Sequence, residues 1–222
     1  MLRVGVLASG DGTNFQALHD ACVTGYADAE IVCVLTNKRS AGVLRRAAHA
    51  GVEGVFVDPK DTEGRDAYDR MLLANLKMFG VDLVCGAGFM RILGPGFVAA
   101  YHNRILNVHP SLLPAFPGLD AIEQAWNQGV KVTGATVHII DAELDGGPIV
   151  FQRAVEVRPD DTIETLTERV HLAEYAIYPK ALRFWGSSDR IKISGRTVIT
   201  GDVPDPPWAG ELPPALRRER HG

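Results

Sequence analysis

The chain opens with the apolar run Leu2-Arg3-Val4-Gly5-Val6-Leu7-Ala8, which leads directly into the loop Ser9-Gly10-Asp11-Gly12-Thr13-Asn14. The apolar run lacks a polar face, as do the strands of parallel sheets that are covered on both sides. A segment with helical periodicity follows the loop, over about residues 14–23. A strand, a glycine-rich loop and a helix in this order predict the first βα unit of an α/β protein.

The glycine-rich loop of residues 9–14 has two interpretations. Its glycines can expose backbone N–H groups at the start of a helix, where anions bind. Alternatively, it is a tight turn in which Thr13 or Asn14 caps the helix. Phe15 replaces the third glycine of the dinucleotide fingerprint, and the loop lacks the lysine of a P-loop. If the loop binds a ligand, a mononucleotide or sugar phosphate is therefore favoured over a dinucleotide.

The alternation of strands and helices continues through the first half of the chain. Apolar runs bounded by turn residues predict strands, and helical spacing of apolar residues predicts the helices between them. The strands are predicted at residues 31–35, 55–57, 81–85 and 105–108, and the helices at residues 41–50 and 65–79.

The pattern changes after His109. Two longer runs, residues 132–140 and 149–157, flank a loop and are predicted to pair as antiparallel strands, and a long helix follows over residues 162–185. The predicted fold class is therefore α/β, with an open, mostly parallel twisted sheet, helices on both faces and antiparallel strands in the C-terminal half.

No linker rich in proline or glycine interrupts residues 1–185, so residues 1–186 are predicted to form one domain. Within it we expect two lobes, about residues 1–100 and residues 101–186. Residues 187–222 are predicted to form a small hairpin and a proline-rich tail, with no regular structure over residues 204–214.

Composition excludes several classes of protein. The 222 residues are 46% hydrophobic and 23% charged, which is ordinary for a soluble globular protein, and the net charge of −4 gives no reason to expect nucleic-acid binding. No apolar stretch approaches the roughly 20 residues of a membrane span, and no signal peptide precedes the first strand. The three cysteines are expected to be reduced. We expect a cytoplasmic protein without nucleic-acid or membrane partners.

The segment Asn107-Val108-His109-Pro110-Ser111 carries the chemistry. Residues two apart on a strand share a face, so Asn107 and His109 should point at one spot, at the edge where parallel sheets bind ligands. Asp145, in a turn, could fold back onto the histidine. These side chains suit attack by a neutral amine on an activated acyl carbon. Asn107 would donate to the oxyanion, and Asp145 would orient the His109 ring.

The sequence leaves the role of His109 open: it could donate to the oxyanion or shuttle the proton of the amine. His138 and Thr136 share a strand face and are predicted to support the site; the alternative for His138, a satisfied core histidine, is less favoured. His109, His138, Asp141 and Asp145 include ligand types for metals but lack the spacing of zinc motifs, so no metal is expected. Ser111 lacks the context of a nucleophile.

The chain resembles the folate-dependent formyltransferases, and within them the phosphoribosylglycinamide formyltransferases of purine synthesis. The similarity runs from residue 2 to about residue 185 in one register, and its motifs occur in the same order. The segments that carry it are residues 9–14, 88–93, 107–118, 134–138, 144–148 and 174–179.

The resemblance implies a Rossmann-like formyltransferase fold and transfer of a formyl group from 10-formyltetrahydrofolate to the amine of 5-phosphoribosylglycinamide, without a covalent enzyme intermediate and without a metal. Residues 1–100 would be the phosphoribosyl-binding lobe and residues 101–186 the folate-binding and catalytic lobe. It implies catalytic roles for Asn107, His109 and Asp145.

The resemblance also implies two groups of binding residues. The ribonucleotide would contact Gly12, Thr13 and Asn14 through its phosphate, with Glu174 near the ribose. The folate would be bound by Arg65, Met90, Arg91, Ile92 and Leu93 and by the loop residues Asp141, Ala142 and Glu143. Arg91, in an apolar run, needs a partner or solvent.

Two sister families share the histidine motif. Methionyl-tRNA formyltransferases usually carry a different continuation of this motif and a tRNA-binding domain, whereas this chain has Phe116-Pro117-Gly118 and a short tail. Formyltetrahydrofolate deformylases carry an N-terminal regulatory domain, and a deformylase-type hydrolase is the alternative function. A non-catalytic phosphoribosyl-binding module would need only the glycine-rich loop. Whether the chain forms a homodimer is left open.

Overall fold

The structure is a computed structural model that describes residues 1–187 and 191–221. Its strands are β1 Leu2–Leu7, β2 Ala29–Thr36, β3 Glu53–Phe56, β4 Leu83–Gly86, β5 Ile105–His109, β6 Val132–Ile139, β7 Ile149–Glu156, β8 Lys192–Ser194 and β9 Thr197–Ile199. Its α-helices are α1 Thr13–Val23, α2 Gly42–Ala50, α3 Arg65–Met78, α4 Pro95–Ala100, α5 Ala121–Asn127, α6 Ile163–Ser187 and α7 Pro214–His221.

The strands described in these two ranges form a single sheet in the order β3-β2-β1-β4-β5-β6-β7-β9-β8. The first five strands are parallel, β6 runs antiparallel to both β5 and β7, and β9 runs parallel to β7 and antiparallel to β8. The predicted fold class, a mostly parallel open sheet with antiparallel strands in the C-terminal half, is confirmed. The carboxyl ends of β1, β4 and β5 lie side by side, because Leu7 pairs with Gly86 and Gly86 with Asn107.

Two apolar cores cover the two faces of the sheet. Phe15 and Leu18 of α1 pack on one face together with Tyr178 of α6, whereas Tyr68 and Leu72 of α3 pack on the other. All five side chains are almost fully buried. Burial of large side chains on both faces removes apolar area from water and is the main stabilising term for this fold. Helices on both faces were predicted, and this prediction is confirmed.

The structure adds helices that the sequence analysis missed. The helices α4 and α5 span six and seven residues, which is too short for a clear helical period. The proline-rich segment has no regular structure from residue 204 to residue 213 apart from turns, and α7 then begins at Pro214. Buried Trp208 holds this segment, and buried Leu216 holds α7. Within the described ranges, no helix is long and apolar enough to cross a membrane.

One sheet runs through both predicted lobes, so the boundary near residue 100 stays a prediction. The predicted hairpin is present as β8 and β9, and it joins the sheet where Thr197 pairs with Ile149 of β7. The C-terminal segment therefore continues the sheet on its β7 side.

Candidate active site

The register between β5 and β6 places the predicted polar side chains opposite each other. Asn107 pairs with His138, and His109 pairs with Thr136, two residues further along each strand. Alternation of side chains puts these four residues on one face of the sheet. The strand β5 ends at His109, and Pro110 follows, so this face opens at the carboxyl end of the parallel strands.

The contact between Asn107 and His138 fixes the direction of the amide. His138 donates from Nδ1 to the carbonyl oxygen of Ile139 at 3.1 Å, which leaves Nε2 to accept from Asn107 Nδ2 at 3.2 Å. Burial lowers the pKa of His138 and outweighs the opposing charge of Asp145, so the ring is neutral. The second N–H of Asn107 remains for another acceptor, since an amide nitrogen carries two.

Asp145 lies between the two imidazole rings. Its Oδ2 is 3.5 Å from His109 Nδ1, and its Oδ1 is 3.6 Å from His138 Nε2. The backbone N–H of Gly118 donates to Oδ2 at 2.8 Å, and the backbone of Asp145 is left-handed with φ 50. A backbone donor and a turn conformation therefore hold this carboxylate in place, where it contacts both histidines.

His109 is oriented from its other side by a carbonyl group. Its Nε2 donates to the backbone oxygen of Phe116 at 2.8 Å, and Phe116 has a left-handed backbone with φ 53. This bond leaves Nδ1 facing Asp145. A second proton on the ring would thus be placed at Nδ1, next to a carboxylate. The side chain of His109 is only 6% exposed, so the pair is largely shielded from water.

Thr136 supports the loop that follows His109. Its hydroxyl donates to Ser111 O at 2.6 Å and accepts from Leu113 N at 3.1 Å and Gln152 Nε2 at 3.0 Å. The Ser111 hydroxyl donates to Ala115 O at 2.5 Å, so it is engaged in the same loop. These bonds fix the backbone between His109 and Phe116, and thereby the carbonyl that orients the imidazole.

The glycine-rich loop ends at the start of α1. Gly12 is the N-cap residue, with φ 82, and no side chain caps the helix, so the interpretation of Thr13 or Asn14 as a helix cap is wrong. The first intrahelical bond runs from Gln16 N to Gly12 O. The N–H groups of the first turn therefore have no intrahelical acceptor. A Cβ on residue 12 would lie 2.6 Å from Val43 Cγ2, so glycine is required there.

Asn14 and Glu174 form the second side-chain group of the site. Asn14 Nδ2 donates to Glu174 Oε2 at 2.9 Å, and its buried Oδ1 has no partner among the described residues. Burial raises the pKa of Glu174, whereas His171, the bond from Asn14 and the charge of His109 act in the opposite direction. This hydrogen bond joins the start of α1 to α6.

Residues 90–93, which are predicted to bind folate, follow β4 at the same edge of the sheet as the glycine-rich loop. Met90 N donates to Ser9 Oγ at 2.8 Å, which joins the segment after β4 to the glycine-rich loop. Met90 and Ile92 are exposed, at 58% and 65%. Arg91 stacks 4.5 Å above the ring of Tyr68. This cation–π contact supplies the partner that an arginine in an apolar run requires.

Leu93 and Arg65, which are also predicted to bind folate, lie at the borders of this segment. Leu93 packs against the core beneath α3. Arg65, the first residue of α3, approaches Gly94, where a Cβ would be 3.3 Å from its Nε. Both side chains therefore border the segment that carries Met90 and Ile92.

The loop before Asp145 is exposed at Ala142 and Glu143. Asp141 Oδ1 accepts from Glu143 N at 2.9 Å, which closes a turn. Arg196, in the hairpin between β8 and β9, donates to Gly146 O and lies 3.7 Å from Glu143 Oε2. A residue outside the resembling segment thus contacts both sides of the loop that carries Asp145.

The structure brings Asn107, His109, His138 and Asp145 into one contact group, which we call the polar cluster, and Asn14 and Glu174 into another. Among the described residues, no group of three or more histidine, cysteine, aspartate or glutamate side chains is arranged to hold a metal ion. Sequence reasoning missed three residues that orient this site through backbone groups or long contacts, namely Phe116, Gly118 and Gln152.

Comparison with known proteins defines the class first. Residues 2–182 match the family model described as formyl transferase, so the chain belongs to the formyl transferase family. Within it, the chain is 42% identical over 192 residues to phosphoribosylglycinamide formyltransferase of Escherichia coli, covering 86% of this chain and 90% of the relative. The chain is thus a member of the phosphoribosylglycinamide formyltransferase family.

Structural similarity and a longer relative agree with this placement. The crystal structure of glycinamide ribonucleotide transformylase 1 from Symbiobacterium toebii is 46% identical, with a TM-score of 0.88, and the match covers 91% of this chain and 95% of that one. The trifunctional purine biosynthetic protein adenosine-3 of Drosophila melanogaster is 45% identical over 203 residues, or 90% of this chain. The chain spans only 14% to 18% of the trifunctional relatives that it matches.

Proposed function

We propose that this chain transfers a formyl group from 10-formyltetrahydrofolate to the amine of 5-phosphoribosylglycinamide. The observation that carries the proposal is the contact of Asn107, His138 and Asp145, beside His109, at the edge of the sheet where the uncapped start of α1 lies. Relatives named phosphoribosylglycinamide formyltransferase and glycinamide ribonucleotide transformylase support both the acceptor and the reaction. These names favour transfer of the formyl group to the amine over hydrolysis of the formyl-folate.

The reaction joins the amine nitrogen to the formyl carbon and breaks the bond from that carbon to N10 of the folate. The amine loses one proton and N10 gains one, so no net proton is consumed. Negative charge develops on the formyl oxygen in between. The site therefore needs a donor for that oxygen and a group that takes up and returns a proton.

Asn107 is the donor that the geometry favours. Its Nδ2 is held by His138 Nε2, which leaves one N–H in a fixed direction for the oxyanion. Because the neutral state of His138 follows from its burial, the bond that holds Asn107 persists near neutral pH. Preorganised donors of this kind stabilise a transition state without reorganising during the reaction.

Asp145 and His109 supply the proton-transfer group. The Nδ1 of His109 faces the carboxylate, and Phe116 holds the opposite nitrogen, so a proton gained by the ring is stabilised by Asp145. We propose that this pair accepts the amine proton and that its charge also stabilises the oxyanion. With Nε2 bound to Phe116 O and Nδ1 facing Asp145, the ring has no free N–H for the oxyanion, so of the two roles that the sequence left open this arrangement favours the proton shuttle.

The start of α1 would bind the phosphate of the ribonucleotide. Unpaired N–H groups and the positive end of the helix dipole attract an anion, and Gly12, Thr13 and Asn14 form this start. Glu174, held by Asn14, would accept hydrogen bonds from the ribose. The exposed apolar surface of Met90 and Ile92 would bind the folate, with Arg65, Arg91, Leu93 and the loop residues Asp141, Ala142 and Glu143 around it.

An assay of acceptor dependence tests the function. Purified protein is mixed with 10-formyltetrahydrofolate, and release of tetrahydrofolate is followed with and without 5-phosphoribosylglycinamide. We expect release only when the ribonucleotide is present, in equal amount to the formylated product. Release without the amine would instead indicate a deformylase, and binding of the ribonucleotide without release would indicate a non-catalytic binding module.

A further inference from the structure

Arg46 of α2 joins the C-terminal helix to the glycine-rich loop. Its guanidinium donates from Nε to Asp11 O at 2.8 Å and from Nη2 to Asp11 Oδ2 at 2.7 Å, and its side chain is only 7% exposed. Its Nη1 forms an ion pair with Glu219 of α7. One buried side chain therefore contacts both the middle of the loop and the far end of the chain.

The bond to the Asp11 carbonyl sets the direction of the next N–H group. The carbonyl and the N–H of a trans peptide point in opposite directions. Because Arg46 binds the carbonyl of Asp11, the N–H of Gly12 is turned away from Arg46. Val43, one helical turn earlier on α2, lies against the backbone of Gly12 and blocks a shift towards the helix. The side chains of α2 thus orient the first N–H of the anion-binding turn.

Contacts independent of Arg46 hold α7 against α1. Ala215 N donates to Asp20 Oδ2 at 2.8 Å, and Leu216 packs in a buried cluster with Ala17 and Tyr175. Asp20 and Ala17 belong to α1, whose first turn forms the proposed phosphate site. The position of Glu219 is therefore fixed by α1 itself. The match to the formyl transferase family ends at residue 182, so α7 lies outside the matched part of the chain.

We propose that α7 is a positioning element for the phosphate site, acting through Glu219 and Arg46 on the Asp11–Gly12 peptide. The identity of the phosphorylated substrate rests on the proposed function. Glu219 places the Arg46 guanidinium, Arg46 binds the Asp11 carbonyl, and the peptide presents Gly12 N–H to the phosphate. Arg46 and Glu219 are positioning residues, because they act through the peptide.

Substitution at Glu219 tests this inference with little change in shape. Glu219→Gln removes the charge, and we expect the KM for phosphoribosylglycinamide to rise about threefold, as for loss of a partly exposed ion pair. The kcat and the KM for 10-formyltetrahydrofolate should stay at wild-type values. Glu219→Asp keeps the charge and should recover part of the affinity. Arg46→Lys loses the forked geometry and should raise the same KM about tenfold.

Glu211→Gln is the matched control. It makes the same chemical change in the same segment and breaks the ion pair of Glu211 with Arg217 at 2.5 Å, without a link to the glycine-rich loop. Both KM values should be unchanged in this variant. An equal effect of Glu211→Gln and Glu219→Gln would overturn the proposal. So would a loss in Glu219→Gln that falls on kcat or on the folate KM instead of the ribonucleotide KM.

Titration with inorganic phosphate separates this inference from the proposed function. We expect calorimetry to show weaker phosphate binding by Glu219→Gln and Arg46→Lys than by wild type, whatever the formyl acceptor is. Equal phosphate affinity in all three proteins would contradict the positioning role even if transferase activity is intact. If circular dichroism shows that Arg46→Lys does not fold, the comparison of Glu219→Gln with Glu211→Gln decides.

Discussion

The polar cluster and the glycine-rich loop lie at one edge of the sheet but are built in opposite ways. In the cluster, side chains from two paired strands orient one another, as Asn107 and His138 do across β5 and β6. In the loop, the backbone of Gly12 and the first turn of α1 is left without a capping side chain. Chemistry requires oriented side chains, whereas binding of an anion requires donors that the fold leaves unpaired.

This difference predicts how the two regions fail. Substitutions in the cluster should lower kcat, because they change groups that we propose act on the reacting atoms. Substitutions in the loop should raise the KM for the ribonucleotide, because they change groups that we propose bind a remote phosphate. Four variants test this division of roles.

The largest effect is expected for Asp145→Asn. The amide keeps an oxygen for Gly118 N–H but loses the charge that stabilises a protonated His109. We expect kcat to fall by about 10³-fold, within the range for general acid–base groups. Steady-state kinetics and thermal unfolding measure it, with exposed Asp160→Asn as the control. Near wild-type turnover would remove Asp145 from the mechanism.

The double variant Thr13→Ala with Asn14→Ala should act on binding. Asn14 loses its contact with Glu174, and both side-chain donors at the start of α1 are removed. We expect the KM for the ribonucleotide to rise about 10- to 100-fold, equivalent to one or two charge-assisted hydrogen bonds. The kcat should change much less. An effect confined to the KM for folate would mean that the two binding regions are reversed.

Glu174→Gln should separate stability from binding. Burial raises the pKa of Glu174 above its ordinary value of 4.5, so the folded carboxyl binds its proton more tightly than the unfolded one. The wild type therefore loses unfolding free energy as pH rises from the ordinary value through the raised pKa. The variant lacks this loss. Urea unfolding should show a gain of about 1 kcal/mol at pH 8 and a smaller one at pH 5.

The same variant should bind the ribonucleotide less well, since an amide is a weaker acceptor for ribose hydroxyls than a carboxylate. A gain in stability together with a higher KM would show that the buried charge is kept for binding. Equal stability differences at both pH values would contradict the raised pKa.

The smallest effect is expected for Arg196→Ala. Arg196 contacts Gly146 O and Glu143 around the loop that carries Asp145, but it is mostly exposed. We expect kcat to fall about two- to threefold, because exposed ion pairs contribute little. Arg217→Ala, at another exposed ion pair, serves as the control. No difference between the two would limit the hairpin to a structural role.

The parallel half of the fold could be predicted from the sequence because its elements are long and periodic. The first apolar run became β1, and residues 65–79 became α3 within one residue. By contrast, α7 is a polar segment that begins at a proline, and nothing in its periodicity indicates its place. Leu216 and Ala215 place it through contacts with α1, which are long-range in sequence.

The candidate site, like the fold, could be predicted only where local geometry determines it. The shared face of Asn107 and His109 follows from strand geometry alone. The bond between Asn107 and His138 depends on the antiparallel register of β5 and β6, and local sequence does not specify that register. The bonds from Phe116 and Gly118 come from the backbone, so no side-chain motif could reveal them.

The fate of a labelled formyl group tests the central claim most directly. Isotopically labelled 10-formyltetrahydrofolate is supplied with 5-phosphoribosylglycinamide, and the label is traced after a single turnover. For the wild type, we predict that nearly all of the label lies in the new N-formyl group of the ribonucleotide. The variant Asp145→Asn should form the same product far more slowly. Label recovered as free formate, or attached to the protein, would contradict direct transfer at this site.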